Sequence, residues 1–87
     1  MSEFYYNDPF NGGRRRIEAA EGSRYVVVRQ RTGGPLEALE CFADHDAARE
    51  LVVGELERAA RTVDELGYGE DVRVTHMNLK PMPVFDA

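Results

Sequence analysis

An α+β domain, in which an antiparallel sheet of three to four strands carries one long helix across one face, is predicted by three observations. The first is the run 44–66, where Ala48, Leu51, Val52, Leu56, Ala59, Val63 and Leu66 recur at steps of three and four, the spacing of a single stripe on an α-helix. The second is the run 24–31, Arg-Tyr-Val-Val-Val-Arg-Gln-Arg, β-branched and aromatic at its centre and charged at both ends. The third is the pair Gly33-Gly34 between that run and the apolar run 36–42, the sign of a hairpin. A further strand after the helix completes the order strand, strand, strand, helix, strand.

The helix has marked ends. Asp44 and Asp46 stand where a carboxylate accepts the unpaired first-turn N–H groups and faces the positive end of the helix dipole, and Gly67 supplies the left-handed turn that closes the far end. Glu50, Glu57, Arg61 and Asp64 occupy the side opposite the apolar stripe. Three features break the pattern. Gly54 falls on the polar side, where packing gives no reason for it. Glu55 falls near the apolar stripe. Val53 and Ala60 lie together on its flank and widen the apolar surface, so that this flank is a candidate contact for a second chain.

Residues 1–13 form an aromatic arm with Phe4, Tyr5, Tyr6 and Phe10 beside Asn7, Asp8, Pro9, Asn11, Gly12 and Gly13. Disordered tails are poor in aromatics, so the arm is expected to dock, either on the chain's own sheet or on a partner. Residues 14–80 form the single α+β domain. Arg14, Arg15 and Arg16 are its only dense positive patch, and 17–20 read as a short first strand before a turn at 21–23. In the next two strands both faces are partly apolar: Val26 and Val28 oppose Tyr25 and Val27, and Leu39 with Cys41 opposes Ala38 with Phe42. Such a sheet needs cover on its second face. The last strand is read at 71–79, with Val72, Val74 and His76 on one side and Thr75, Met77 and Leu79 on the other. The stretch 80–85 is expected not to extend a ladder, because Pro81 and Pro83 remove donors; 81–87 is read as a Pro-rich tail.

Composition narrows the function. A chain of 87 residues carries one modest core, and domains of this size often gain stability by oligomerising. Cys41 is the single cysteine, which excludes a disulfide framework and a cysteine metal cage and suits a reducing, cytoplasmic setting. No apolar run reaches the length of a membrane span, and the first residues lack a secretory pattern, so a soluble protein is expected. The net charge of -5 opposes general attraction to phosphate.

The residues that carry chemistry are few: Cys41, Asp44, His45 and Asp46 near the helix entry and His76 on the last strand. Cys41 reads as a small buried hydrophobe in a strand, and Asp44 and Asp46 as helix caps, so neither a catalytic site nor a metal site is expected. No glycine-rich loop stands in the strand-to-helix context that binds phosphate, and no cofactor is expected. Arg29, Arg31 and Arg73, with Arg14, Arg15 and Arg16, make an alternative anion or nucleic-acid site on the sheet. The layout of three strands followed by a helix is similar to that of AP2-type and phage-integrase arm-binding domains, a resemblance that implies DNA reading through the sheet. Glu37 and Glu40 on the neighbouring strand weaken the field such a site needs. The expected function is a non-catalytic protein-binding module, a small acidic regulator or inhibitor of phage or mobile-element type. It is expected to form a homodimer, with Phe4, Tyr5, Tyr6, Phe10, Val53 and Ala60 as contact residues.

Overall fold

Val26, Val27 and Val28 are consecutive and all but inaccessible, at 0, 0 and 1% exposure. Successive strand residues point to opposite faces, so one strand can bury three in a row only if both faces of its sheet are covered. The computed structural model, which describes residues 1–9, 13–31, 34–67 and 72–82, shows how each face is covered.

The elements are β1 (Ser2–Tyr6), β2 (Arg15–Ala19), β3 (Tyr25–Arg31), β4 (Leu36–Phe42), α1 (His45–Leu66), β5 (Val72–Asn78) and β6 (Lys80–Pro81). They form two antiparallel sheets, with strand orders β2-β1-β6 and β4-β3-β5. The second sheet is the hairpin-plus-strand unit expected from sequence, and α1 packs across it as predicted for the α+β class. Ala48, Leu51 and Val52 of α1 meet Val27, Val74 and Val72, with Tyr25, Leu39 and Phe42 at the margin.

The opposite face, carrying Val26, Val28 and Leu36, meets Phe4, Tyr6 and Ala19 from the first sheet. Among the described residues the strand count therefore rises from three or four to six. The aromatic arm is a strand: β1 is the centre of the first sheet, and its inward residues Phe4 and Tyr6 are 7% and 3% exposed. β1 turns into β2 through residues closed by reciprocal hydrogen bonds between Asp8 and Gly13, N–H to C=O at 3.1 and 2.9 Å. Gly13 has φ +95°, a conformation that favours glycine.

Lys80 and Pro81 do extend a ladder, contrary to the expectation from their prolines. Pro81 pairs with Phe4 and Lys80 with Tyr5, and the Met82 N–H donates to the Glu3 carbonyl at 3.2 Å. Proline is excluded from the centre of a sheet but tolerated at an edge, and β6 is an edge strand. Leu79, 8% exposed, is the single residue between β5 and β6, so one extended segment passes from the second sheet into the first.

Both ends of α1 behave as read. The Asp44 side chain accepts from the Asp46 N–H at 3.2 Å, and Gly67, at φ +73°, donates its N–H to Val63 O at 2.7 Å. The apolar stripe does not behave as read. Ala48, Leu51, Val52 and Ala59 face inward, whereas Leu56, Val63 and Leu66 are 42, 41 and 57% exposed. Leu56, between the inward-facing Val52 and Ala59, falls to the side of them on the wheel; for Val63 and Leu66 the reason is length. A seven-residue strand spans about 23 Å. A helix of 22 residues spans about 33 Å. From Ala60 onward every helical residue is exposed.

At the hairpin, Gly34 donates its N–H to Arg31 O at 2.9 Å without a positive φ. Phe10, Gly12, Gly33, the turn at 68–70, Asp71 and the tail from Pro83, including Phe85, lie outside the described residues.

Candidate functional site

At about 3.6 residues per turn, α1 carries two apolar stripes set roughly a third of a turn apart. One is the packed stripe on the sheet. The other is Val53, Leu56, Ala60 and Val63, spaced three, four and three, the interval of a helix-pairing seam. All four are exposed, the three larger ones at 45, 42 and 41%. The sequence reading placed Val53 and Ala60 on a flank of the packed stripe; the structure aligns them with Leu56 and Val63 as a stripe of their own. The signal that separates the two is angle around the helix: on the wheel Leu56 and Val63 fall nearer to Val53 and Ala60 than Ala48 and Ala59 do.

Along one edge of the exposed stripe, on the same wheel, run Asp46, Glu50, Glu57 and Asp64, all in contact with solvent. Asp46, Glu50 and Glu57 line a shallow depression of about 490 Å³ with Arg49, Val53 and Gly54. A Cβ at Gly54 would meet no atom within 4 Å, so neither φ nor packing in this chain requires glycine there.

The aromatic set is divided by strand alternation. Phe4 and Tyr6 are core residues. Tyr5 lies on the outer face of the first sheet, half-buried, with the Arg14 guanidinium 4.9 Å from its ring centroid. A partner can therefore reach Tyr5 but not its neighbours.

Alternation also separates Arg14, Arg15 and Arg16. Arg15 pairs with Tyr6 on the inner face, where it donates to Leu36 O at 2.8 Å and lies 3.9 Å from the buried Asp8 carboxylate. Arg16 pairs with Tyr5 on the outer face, 3.9 Å from Glu3. Arg73 pairs with Gln30, and Arg31 with Val72, so Arg73 lies on the face opposite Arg29 and Arg31. Four arginines nonetheless border one cleft of about 520 Å³: Arg15, Arg16, Arg29 and Arg31, with Glu37 and the apolar Ile17, Pro35 and Leu36. Arg14 and Arg73 do not line it.

Arg29 is held by two carboxylates. Its Nη2 donates to Glu37 Oε2 at 2.8 Å and its Nη1 lies 3.6 Å from Glu55, which in turn lies 3.3 Å from Arg58. The bond to Glu37 holds the guanidinium above its ordinary range, against burial, and the Glu37 carboxyl below its own. Glu55 is only 12% exposed because it serves as the helix's counter-charge to Arg29, which explains its place near the apolar stripe.

His45 and His76 do come together, ring centroids 4.8 Å apart, each edge-on to Tyr25 at 5.4 and 5.8 Å. Among the described residues, no group of three or more His, Cys, Asp or Glu is placed to hold a metal ion. Burial, and then the charge of Glu40, pushes the Cys41 thiol above its ordinary value, away from the thiolate that nucleophilic chemistry needs. No described helix is long and apolar enough to cross a membrane. Comparison with protein-family models, with curated proteins and with solved structures gives no match.

Proposed function

We propose that this protein is a non-catalytic protein-binding module, a small acidic regulator or inhibitor, which engages its partner through the exposed face of α1. One observation carries the reading. Val53, Leu56, Ala60 and Val63 stand in line over about 15 Å of helix and are all exposed among the described residues. Single exposed apolar residues are ordinary, but a contiguous stripe at pairing intervals, rimmed by charge, is the form of an interaction site. The test is photo-crosslinking in the native host from a reactive residue placed at position 53 or 60, with position 18 on the outer face of the first sheet as control. A distinct protein captured from 53 and 60 but not from 18 supports the reading; equal or no capture refutes it.

A second reading, a small nucleic-acid-binding module, is favoured by the cleft that Arg15, Arg16, Arg29 and Arg31 share. Against it stand Glu37 and Glu55, which already hold Arg29, and the overall charge of -5. Micromolar binding of duplex DNA at physiological salt, weakened by added salt and by Arg16→Ala with Arg31→Ala, would move the assignment to this reading.

A further inference from the structure

We infer that the occupant of the α1 face is a basic amphipathic helix of another protein, and not a second copy of this chain. The inference rests on the reading of that face as a docking site and commits it to one chemistry. The seam interval of Val53, Leu56, Ala60 and Val63 fits another helix, because apolar side chains at steps of three and four interdigitate with a like series across a helix pair. The partner's charge follows from the edge. Asp46, Glu50, Glu57 and Asp64 recur along the solvent side of the stripe, where a helix seated on it would bring its own flanking side chains. The other edge is the packed stripe, with Val52 and Ala59 turned toward the sheet.

Two copies paired antiparallel across this stripe would set Val53 against Val63 and Leu56 against Ala60. The same register sets Glu57 against Glu57 and brings Glu50 near Asp64, like charges along the whole contact. Arg49 and Arg61 do not relieve this: Arg49 lies on the axis of the stripe near its start, and Arg61 lies further round the solvent side. A helix with Lys or Arg along its facing edge meets four carboxylates instead. It also has a place to put one cation, the depression lined by the three carboxylates of Asp46, Glu50 and Glu57 against the single guanidinium of Arg49, where Gly54 adds no side chain. Charge of this kind selects the partner and speeds encounter more than it tightens the complex.

The experiment uses the full chain and a fluorescent synthetic peptide of about 18 residues, long enough to hold a helix. It carries Leu and Ile at seam positions and Lys along one edge, and a twin carries Glu in place of each Lys. Anisotropy at physiological salt should show roughly micromolar binding of the Lys peptide, as suits a contact at the small end of interface sizes, and none of the Glu twin. Ala60→Glu, at an exposed position that cannot disturb the core, should weaken binding roughly tenfold or more. Glu57→Lys with Asp64→Lys should reverse the preference between the twins. Glu18→Lys with Glu21→Lys changes net charge equally on a distant surface and should leave binding unchanged. Equal binding of the twins, equal loss in both charge-reversed variants, or no binding of either peptide overturns the inference. So does a dimer at physiological salt that Ala60→Glu abolishes, which would give the face to a second copy. These failures leave crosslinking from position 53 intact, whereas failure of the docking reading removes the crosslink itself.

Discussion

Gly54 and Glu55 are adjacent in α1 and break its pattern for different reasons. Glu55 answers a charge: it is the helix-side partner of Arg29, and removing it would leave a guanidinium under the helix with one partner fewer. Gly54 answers nothing inside the chain. Glycine in a helix interior costs about 1 kcal/mol relative to alanine. Since a Cβ there meets open space, Gly54→Ala should stabilise the protein by about that amount, read as a higher melting temperature. A lower one would mean that the fold itself needs the glycine. Glu37 gives a pH prediction. Its folded pKa is depressed, first by the hydrogen bond from Arg29, so its contribution is present above the ordinary carboxyl value of 4.5 and is lost as pH falls through the folded value. Glu37→Gln should therefore flatten the loss of melting temperature below about pH 4.5, where the wild type continues to fall. Parallel profiles would show that the exposed pair contributes nothing to folding.

At the scale of elements, β1 tests how the aromatic rings are used. Phe4 lies in the sandwich between the sheets and Tyr5 on the outside, one residue apart. Phe4→Ala should cost about 3–5 kcal/mol in denaturant unfolding, the range for a core aromatic, and Tyr5→Ala well under half of that. Similar small losses for both would mean that β1 is not part of the core. This strand also marks where the sequence is legible. The helix and its caps, β3 and β4 were readable because periodicity, β-branching and terminal residue types are local signals. The need for cover over the second face of the sheet was readable as well, from apolar residues on both sides of 25–28. How it is covered was not, since the pairing of β1 with β6 joins residues some 75 positions apart, and Pro81 points away from a ladder unless its edge position is known. The arginine cleft was readable in part, since its four arginines are among the six named from sequence, but which four was not. Consecutive arginines look like one patch in a sequence, but a strand sends Arg15 and Arg16 to opposite faces, and only the packing of two sheets brings Arg15 near Arg29 and Arg31. The exposed stripe on α1 was only half visible, because a repeat of three and four over a wide apolar surface does not say which side of it faces the sheet.

At the scale of the whole molecule, two terms decide self-association and they oppose each other. The apolar stripe on α1 favours any cover, including a second copy, while the acidic edge and the charge of -5 on each chain oppose it. The aromatic rings that suggested a dimer no longer favour one, because Phe4 and Tyr6 are already buried within the chain. Electrostatic repulsion between exposed groups depends on screening, which acts over about 8 Å at physiological ionic strength and about 3 Å at 1 M salt. Burial of apolar surface is not weakened by salt in this way. Light scattering should accordingly give the mass of a monomer, 9.8 kDa, at high micromolar concentration and physiological salt. Raising sodium chloride to about 1 M should shift the average mass upward, and Ala60→Glu, which puts a carboxylate into the seam, should suppress that shift. Deletion of residues 2–6 should not mimic it, because losing the central strand of the first sheet exposes Val26 and Val28 and unfolds the chain. A dimer that forms at low salt and dissociates at high salt would show instead that opposite charges hold the copies together, and would turn attention from α1 to the basic cleft and a carboxylate surface facing it.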